Sequence, residues 1–199
     1  MKIVLASSSP RRKSLLQQIC VEFDIYSPFV KEVEQSEIYA TKRSEIRERR
    51  RIAVENASLK AWEAFNSTSG DRLVIGADTI VVRDGEIMGK PLDDQDAKKM
   101  LRSLSGRTHV VVTGLSVRRS DRPEIKGFEE TLVTFRSLSG REIDRYVESR
   151  EPVDKAGAYG IQGLGALLVR KIEGCYFNVM GLPLVRLLAL CRRAGVELF

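Results

Sequence analysis

The sequence predicts an α/β fold on a mixed sheet, as a single domain over residues 1–199. Three observations carry that prediction. Helical stretches with one apolar face alternate with apolar runs of strand length. Two of the strands are joined by Asp84-Gly85, a hairpin turn that makes its strands antiparallel neighbours. No internal repeat, low-complexity tract or linker divides the chain, and 43% hydrophobic against 30% charged residues is the balance of a globular protein that buries one core.

Residues 2–6 read as a short apolar strand. Ser9 then offers an N-cap and Pro10 suits the first helical position, with Leu15, Leu16 and Ile19 as the apolar face of that helix. A second extended segment at 23–30 leads into an acidic loop with Glu32, Glu34 and Glu37. A long charged helix is expected over about 41–65, burying Ile52, Leu59 and Trp62, and residues 66–70 break it. The run from Leu73 to Val82 reads as a buried central strand, whose hairpin partner ends at Gly89-Lys90-Pro91. Asp93 or Asp94 caps a helix that reaches Leu104 and stops at Gly106. Strands follow at about 108–118 and 126–136, then a helix at 140–149. A glycine-rich loop at 150–165 and a strand at 166–172 precede the last helix, which starts near Pro183 with Leu184, Leu187, Leu188 and Cys191.

A net charge of +6 favours anions without choosing among nucleic acid, acidic membrane and phosphate esters. Much of it lies between Lys42 and Arg51, interleaved with Glu45 and Glu48, which reads as a solvated helix face with local ion pairs. Nucleic acid is not an expected partner, because the chain has no aromatic stacking platform, zinc motif or recognition helix. Cys20, Cys175 and Cys191 are odd in number and widely spaced, so reduced thiols are expected. No apolar run approaches the roughly 20 residues of a membrane helix. No secretory leader is evident, and a cytoplasmic protein is expected.

Three constellations carry chemistry. In Ser7-Ser8-Ser9-Pro10-Arg11-Arg12, Arg11, Arg12 and Lys13 occupy a first helical turn that prefers acids, at roughly 0.3–1 kcal/mol each. Free N–H groups, the Ser7 and Ser9 hydroxyls and two guanidinium forks suit a polyphosphate there. The other reading lets the basic side chains extend into water. Asp78 interrupts an apolar strand beside Thr79, and burying an unpaired carboxylate costs several kcal/mol. Two readings stand: a general base or metal carboxylate on a cleft floor, or a structural acceptor for a neighbouring loop. Lys90 can return along the hairpin as its charge partner or as a phosphate ligand. In the segment from Glu151 to Gly163, glycines permit close approach of a ligand, while Asp154, Lys155 and Gln162 offer an acceptor, a cation and a base-reading amide. Tyr159 and Ile161, set among the glycines, point to packing where a plain surface loop needs none.

These motifs, with Gly89-Lys90-Pro91, Leu104-Ser105-Gly106 and His109, and Gly181-Leu182-Pro183, resemble the Maf family of nucleotide pyrophosphatases from about residue 3 to residue 185. The resemblance implies an elongated fold of two lobes around a central nucleotide cleft, like that of inosine triphosphate pyrophosphatases. It implies a nucleoside triphosphate substrate, a divalent cation (Mg²⁺ or Mn²⁺) and a homodimer; neither a nucleic-acid nor a membrane partner is expected. Asp78 then matches the proton acceptor, with Lys90 beside it in catalysis. Ser7, Ser9, Arg12, Lys90 and Lys155 match the phosphate-binding set, and Arg11, Thr79 and Gln162 the positions that choose the base. Glu32 resembles an acid that holds the metal with Asp78. The loop from Asp154 to Gln162 resembles the dTTP/UTP branch, with modified pyrimidine nucleotides as further candidates. A 7-methyl-GTP-type enzyme and a non-hydrolytic regulator of septum formation are the alternatives. One departure stands out. The family's Lys-Ala pair on the long helix aligns, without gaps, with Asn56-Ala57, leaving Lys60 one turn later as a substitute.

Overall fold

The computed structural model describes residues 1–19, 21–34 and 42–198, with the side chains of 42–44 left aside. Its elements are β1 (Lys2–Ala6), α1 (Pro10–Gln18), β2 (Asp24–Tyr26), α2 (Lys42–Ser67), β3 (Arg72–Arg83), β4 (Glu86–Met88) and α3 (Asp94–Leu104). There follow β5 (Thr108–Arg118), β6 (Ile125–Phe135), α4 (Gly140–Glu148), β7 (Val169–Glu173), α5 (Tyr176–Val179) and α6 (Leu184–Arg193). The expected α/β fold on a mixed sheet is the one observed. Strand order is β2-β1-β3-β5-β6-β7, with β1 parallel to β2 and β3 and the remaining pairs antiparallel.

β3 is the organising element. Along one edge its first half pairs with β1, ending at Ala6 opposite Gly76, while its second half pairs with β4, beginning at Met88 opposite Val81. Residues 77–80 lie between these two pairings, so the edge is open where Asp78 and Thr79 stand. Alternation along the strand sends odd and even residues to opposite faces. Leu73, Ile75 and Ala77 enter one core cluster, with Leu5 and Leu15 and with Leu187 of α6. Val81 enters a second on the same face, with Leu101 and Leu104 of α3 and Ile143 of α4. Val74, Ile80 and Val82 face the other way, towards Ala53, Ala61 and Ala64 of α2.

α2 corrects the expectation for its buried face. Ile52 is buried, but Leu59 is 37% and Trp62 54% exposed. The face against the sheet is built from Ala53, Asn56, Ala57, Ala61 and Ala64, because the helix lies on Gly76 and Gly114, where any side chain would run into helix backbone. Large residues are thereby turned outward. The basic stretch of α2 pairs locally, Arg49 with Glu45 and Arg51 with Glu48 and Glu55, and Arg49 and Arg50 also cross to Glu130 on β6.

Smaller corrections follow from local geometry. β2 is shorter than the expected segment, and β7 begins three residues later than expected, after short 3₁₀ turns at Glu151–Asp154, Ala156–Ala158 and Gly163–Leu168. α5 was not anticipated. Asp93 is the N-cap of α3, accepting from the Asp96 N–H at 2.8 Å. Cys175 and Cys191 are free thiols; Cys20 and Glu37 lie outside the described residues. Among the described residues no helix is long and apolar enough to cross a membrane.

Candidate active site

The open stretch of the β3 edge is where the chain leaves β1. Ser7 is buried, and its Oγ accepts from the Ser9 N–H and from Arg12 Nη1, both at 3.2 Å. Ser9 occupies the N-cap position with extended backbone, yet its side chain makes no capping bond, which corrects that expectation. The hydroxyl that turns the chain belongs to Ser7. Pro10 does occupy the first turn.

Arg12 does not extend into water. It is 9% exposed, its Nε donates to the Gly181 carbonyl at 2.8 Å, and its Nη2 donates to Thr79 Oγ1 at 2.9 Å. Burial lowers its pKa, and the Asp78 charge nearby acts against that shift. Gly181 has φ +105°, and a Cβ there would stand 3.3 Å from Thr79 Oγ1 and 3.4 Å from Arg12 Nε, so only glycine brings that carbonyl so near. Thr79 Oγ1 also meets Thr113 Oγ1 at 3.0 Å, and Thr113 donates to the Asn178 carbonyl. Arg11, by contrast, is half-buried and reaches Asp154 at 3.6 Å.

On the other face of β3, Asp78 is 6% exposed and fully engaged. Its Oδ1 accepts from Lys60 Nζ at 2.5 Å and its Oδ2 from Asn56 Nδ2 at 3.3 Å. The same Lys60 ammonium meets Glu32 Oε1 at 2.6 Å. Asn56 Oδ1 accepts from the Val33 N–H at 2.6 Å, which pins the Glu32 segment beside Asp78. Both residues come from the small-residue face of α2, whose close approach to Gly76 brings Asn56 and Lys60 within reach.

Lys90 is not the charge partner of Asp78. It is exposed, lies two residues beyond the last β3–β4 pair, and makes no hydrogen bond or ion pair among the described residues. Lys60 takes that place. It was legible as a Lys-Ala pair, Lys60-Ala61, but alignment without gaps set the family's lysine at Asn56. Asn56, at the position where the family carries lysine, donates to Asp78 Oδ2.

The glycine-rich segment packs as Tyr159 and Ile161 suggested. Tyr159 is buried with its hydroxyl 2.7 Å from His109 Nε2, and Ile161 joins the first core cluster. The Gly157 N–H donates to the Gly89 carbonyl at 2.9 Å, so this segment and the end of β4 are tied. Lys155 Nζ donates to the Glu151 carbonyl and to Asp154 Oδ1, each at 2.5 Å. Through Asp154, which also meets Arg11, Lys155 is linked to the start of α1. Gln162 is exposed and makes no side-chain hydrogen bond among the described residues. Ser7, Ser9, Arg12, Thr79, Asp78 and Glu32 are thus gathered at the gap in the sheet. Arg11 and Lys155 join it through Asp154, while Lys90 and Gln162 are exposed and make no side-chain contact with these residues among the described residues.

Chemically, the gap offers a desolvated carboxylate, a second carboxylate sharing one ammonium with it, and a buried guanidinium whose hydrogen bonds fix two hydroxyls. That is a set suited to a polyanion and an activated water. The chain matches the family model for Maf-like protein over residues 2–194. A dTTP/UTP pyrophosphatase from Dictyoglomus thermophilum is 46% identical over 200 residues, covering 99% of this chain and 98% of that protein. One of the same name from Carboxydothermus hydrogenoformans is 47% identical, covering 98% of this chain and all of that protein. A solved nucleoside-triphosphatase / dITP/XTP pyrophosphatase from Mycobacterium abscessus aligns over 69% of this chain and 76% of its own, at 16% identity and a TM-score of 0.40, a likeness too loose to argue from.

Proposed function

Since the chain belongs to the Maf-like protein family, we propose that it hydrolyses dTTP and UTP to the nucleoside monophosphate and pyrophosphate. The observation that carries this reading is Asp78: a nearly buried carboxylate at a gap in a sheet edge, held from one side by Lys60 and Asn56. Its fixed orientation suits a base that orients a water and takes its proton. The water oxygen bonds to the α-phosphorus, the bond from that phosphorus to the α–β bridging oxygen breaks, and pyrophosphate leaves. Arg12 supplies an immobile positive charge beside the gap and keeps the Ser7 and Thr79 hydroxyls in place. Lys60 adds a second cation at the attacking side, and Lys155 a third from the glycine-rich segment. Arg11, Thr79 and Gln162 are assigned to the base. Thr79 has its hydroxyl committed to Arg12 and Thr113, so in this reading it would shape the base site by holding that network and not by a free hydroxyl.

The donor set fits a divalent cation. Asp78 and Glu32 present hard carboxylate oxygens that already share one cation, the Lys60 ammonium. No cluster of three acidic, histidine or cysteine groups occurs among the described residues, so phosphate oxygens and water would complete the coordination, as Mg²⁺ prefers. When bound by these two residues, the ion would neutralise charge on the phosphates. The alternative is a nucleotide sensor that does not hydrolyse. Lys60 at Asp78 weighs against it, since it supplies a cation on the helix that carries Asn56 in place of lysine.

The test is pyrophosphate release from dTTP, UTP, CTP, GTP and 7-methyl-GTP, with and without Mg²⁺, by the wild-type protein and Asp78→Asn. Release from dTTP and UTP with Mg²⁺ is expected, falling by about 10²–10⁴-fold in Asp78→Asn, the range for loss of a general base. Release by Asp78→Asn at the wild-type rate, or none from any nucleotide by the wild type, would end the reading.

A further inference from the structure

Two groups aimed at the turn that carries Gln162 have no part in the chemistry above. Tyr146 lies in α4, and Glu151 begins the segment that follows it. Tyr146 Oη accepts from the Gly160 N–H at 3.1 Å, two residues before Gln162. Glu151 accepts from the Leu164 N–H at 2.9 Å and from the Gly165 N–H at 3.2 Å, two and three residues after it. The Gln162 turn is therefore clipped on both sides. The two clipping groups also stand against each other: burial first, and then the Glu151 carboxylate, push the Tyr146 phenol up to about 12.

The glycines of this segment are explained by the same contacts. A Cβ on Gly163, whose φ is +63°, would stand 2.5 Å from Glu151 Oε1. One on Gly165 would stand 2.7 Å from Tyr146 Oη. Glu151 acts through its backbone as well, since its carbonyl accepts from Lys155 Nζ at 2.5 Å. A single residue thus holds the ammonium assigned to phosphate by its main chain and the turn assigned to the base by its carboxylate.

We propose that Glu151 and Tyr146 are positioning residues for base selection, fixing the turn that presents Gln162 without touching the nucleotide. The proposal rests on the assignment of Gln162 to the base. An amide discriminates between uracil and cytosine edges only while it is held against them, and misplacement by about 1 Å is enough to lose much of that selection. Gln162 has no side-chain hydrogen bond of its own among the described residues, so its aim depends on its backbone, and its backbone depends on the clip.

The measurement is kcat/KM for UTP over that for CTP, in the wild type, Gln162→Ala, Glu151→Gln, Tyr146→Phe, and each clip variant combined with Gln162→Ala. Tyr146→Phe keeps the aromatic ring in the core and guards against a fold lost to the charge change. Each clip variant should lower the ratio about tenfold, the scale of one lost hydrogen bond, mainly through KM for UTP. Neither should lower it further once Gln162 is alanine. A ratio that Gln162→Ala lowers but both clip variants leave intact overturns the clip alone. Equal losses for both nucleotides, or unfolding of both variants, mark a merely structural role and overturn it too. If Gln162→Ala leaves the ratio unchanged, the base assignment fails and takes the clip with it, whatever pyrophosphate release from UTP then shows.

Discussion

His109 is the only histidine in the chain, and it is buried, with no ion pair among the described residues. Its Nε2 meets the Tyr159 hydroxyl at 2.7 Å, its Nδ1 has no partner among the described residues, and its ring stands edge-on to Phe135 and Tyr159. Burial drives its pKa from 6.5 down to about 4. The sign of the effect on stability follows from linkage. Above 6.5 both folded and unfolded chains carry a neutral ring. Between 6.5 and about 4 the unfolded chain takes up a proton that the folded one refuses, so stability falls with pH. The slope is about 1.4 kcal/mol per pH unit, and the whole loss is about 3 kcal/mol. Urea unfolding at pH 7 and pH 4.5 should therefore show a smaller acid loss in His109→Gln than in the wild type, although the variant is less stable at pH 7. The comparison of the two proteins is needed because Glu124 and Glu130, whose pKa values are held down, lose stability in acid in both. Equal acid losses would assign the slope to carboxylates alone. The sequence offered His109 as part of a motif, but its partner is 50 residues away, a distance that no local pattern spans.

At the scale of elements, the seating of α2 on the sheet decides what Asp78 meets. A Cβ on Gly76 would stand 2.8 Å from Ala61 Cβ and would overlap the Ala57 carbonyl; one on Gly114 would overlap the backbone at Ala53. Gly76→Ala should thus lift the helix locally, costing about 1–3 kcal/mol as other overpacked cores do. It should also lower turnover beyond that loss, because Asn56 and Lys60 ride on the same helix. Trp62→Ala, on the outer face, should leave stability within about 0.5 kcal/mol. Urea titration with pyrophosphate release checks both, and equal behaviour of the two variants would contradict the packing described. Most element types and many boundaries were legible here. Hydrophobic runs, the Asp84-Gly85 turn and the stop at Gly106 each report a local physical preference. The seating of α2 does not follow from apolar bulk, since Leu59 and Trp62 are exposed and the small residues face the sheet. Glycines within strands, which mark close backbone approach, carried the better signal.

Over the whole molecule, the site joins residues from Ser7 to Gly181, and one side chain does much of the joining. Arg12 spans 169 positions to the Gly181 carbonyl and 67 to Thr79, while holding Ser7 five residues back. Motif order in the sequence suggested that these segments share a site; it could not say that Arg12 is the buried tie and Arg11 the half-exposed contact to Asp154. That distinction depends on which side of α1 faces Gly181, and Arg11 and Arg12 are chemically identical. On the proposed reading, ligand binding is linked to global stability, because a nucleotide bound at the gap would need all these segments folded together. A non-hydrolysable UTP analogue with Mg²⁺ at about 100 times its Kd should add about 2.7 kcal/mol to unfolding. Asp78→Asn should retain the part of that increment that the anion contacts supply, since on the proposed reading it changes the proton acceptor and one of the two carboxylates that would hold the cation. Arg12→Lys should lose both basal stability and increment. A single ammonium cannot replace the planar fork at Gly181, Thr79 and Ser7 together, and the acceptors left behind are buried. Thermal melts of the three proteins with and without the analogue measure both effects. If Arg12→Lys melted like the wild type and kept the full increment, the two ends of the chain would have to be tied by something other than this guanidinium.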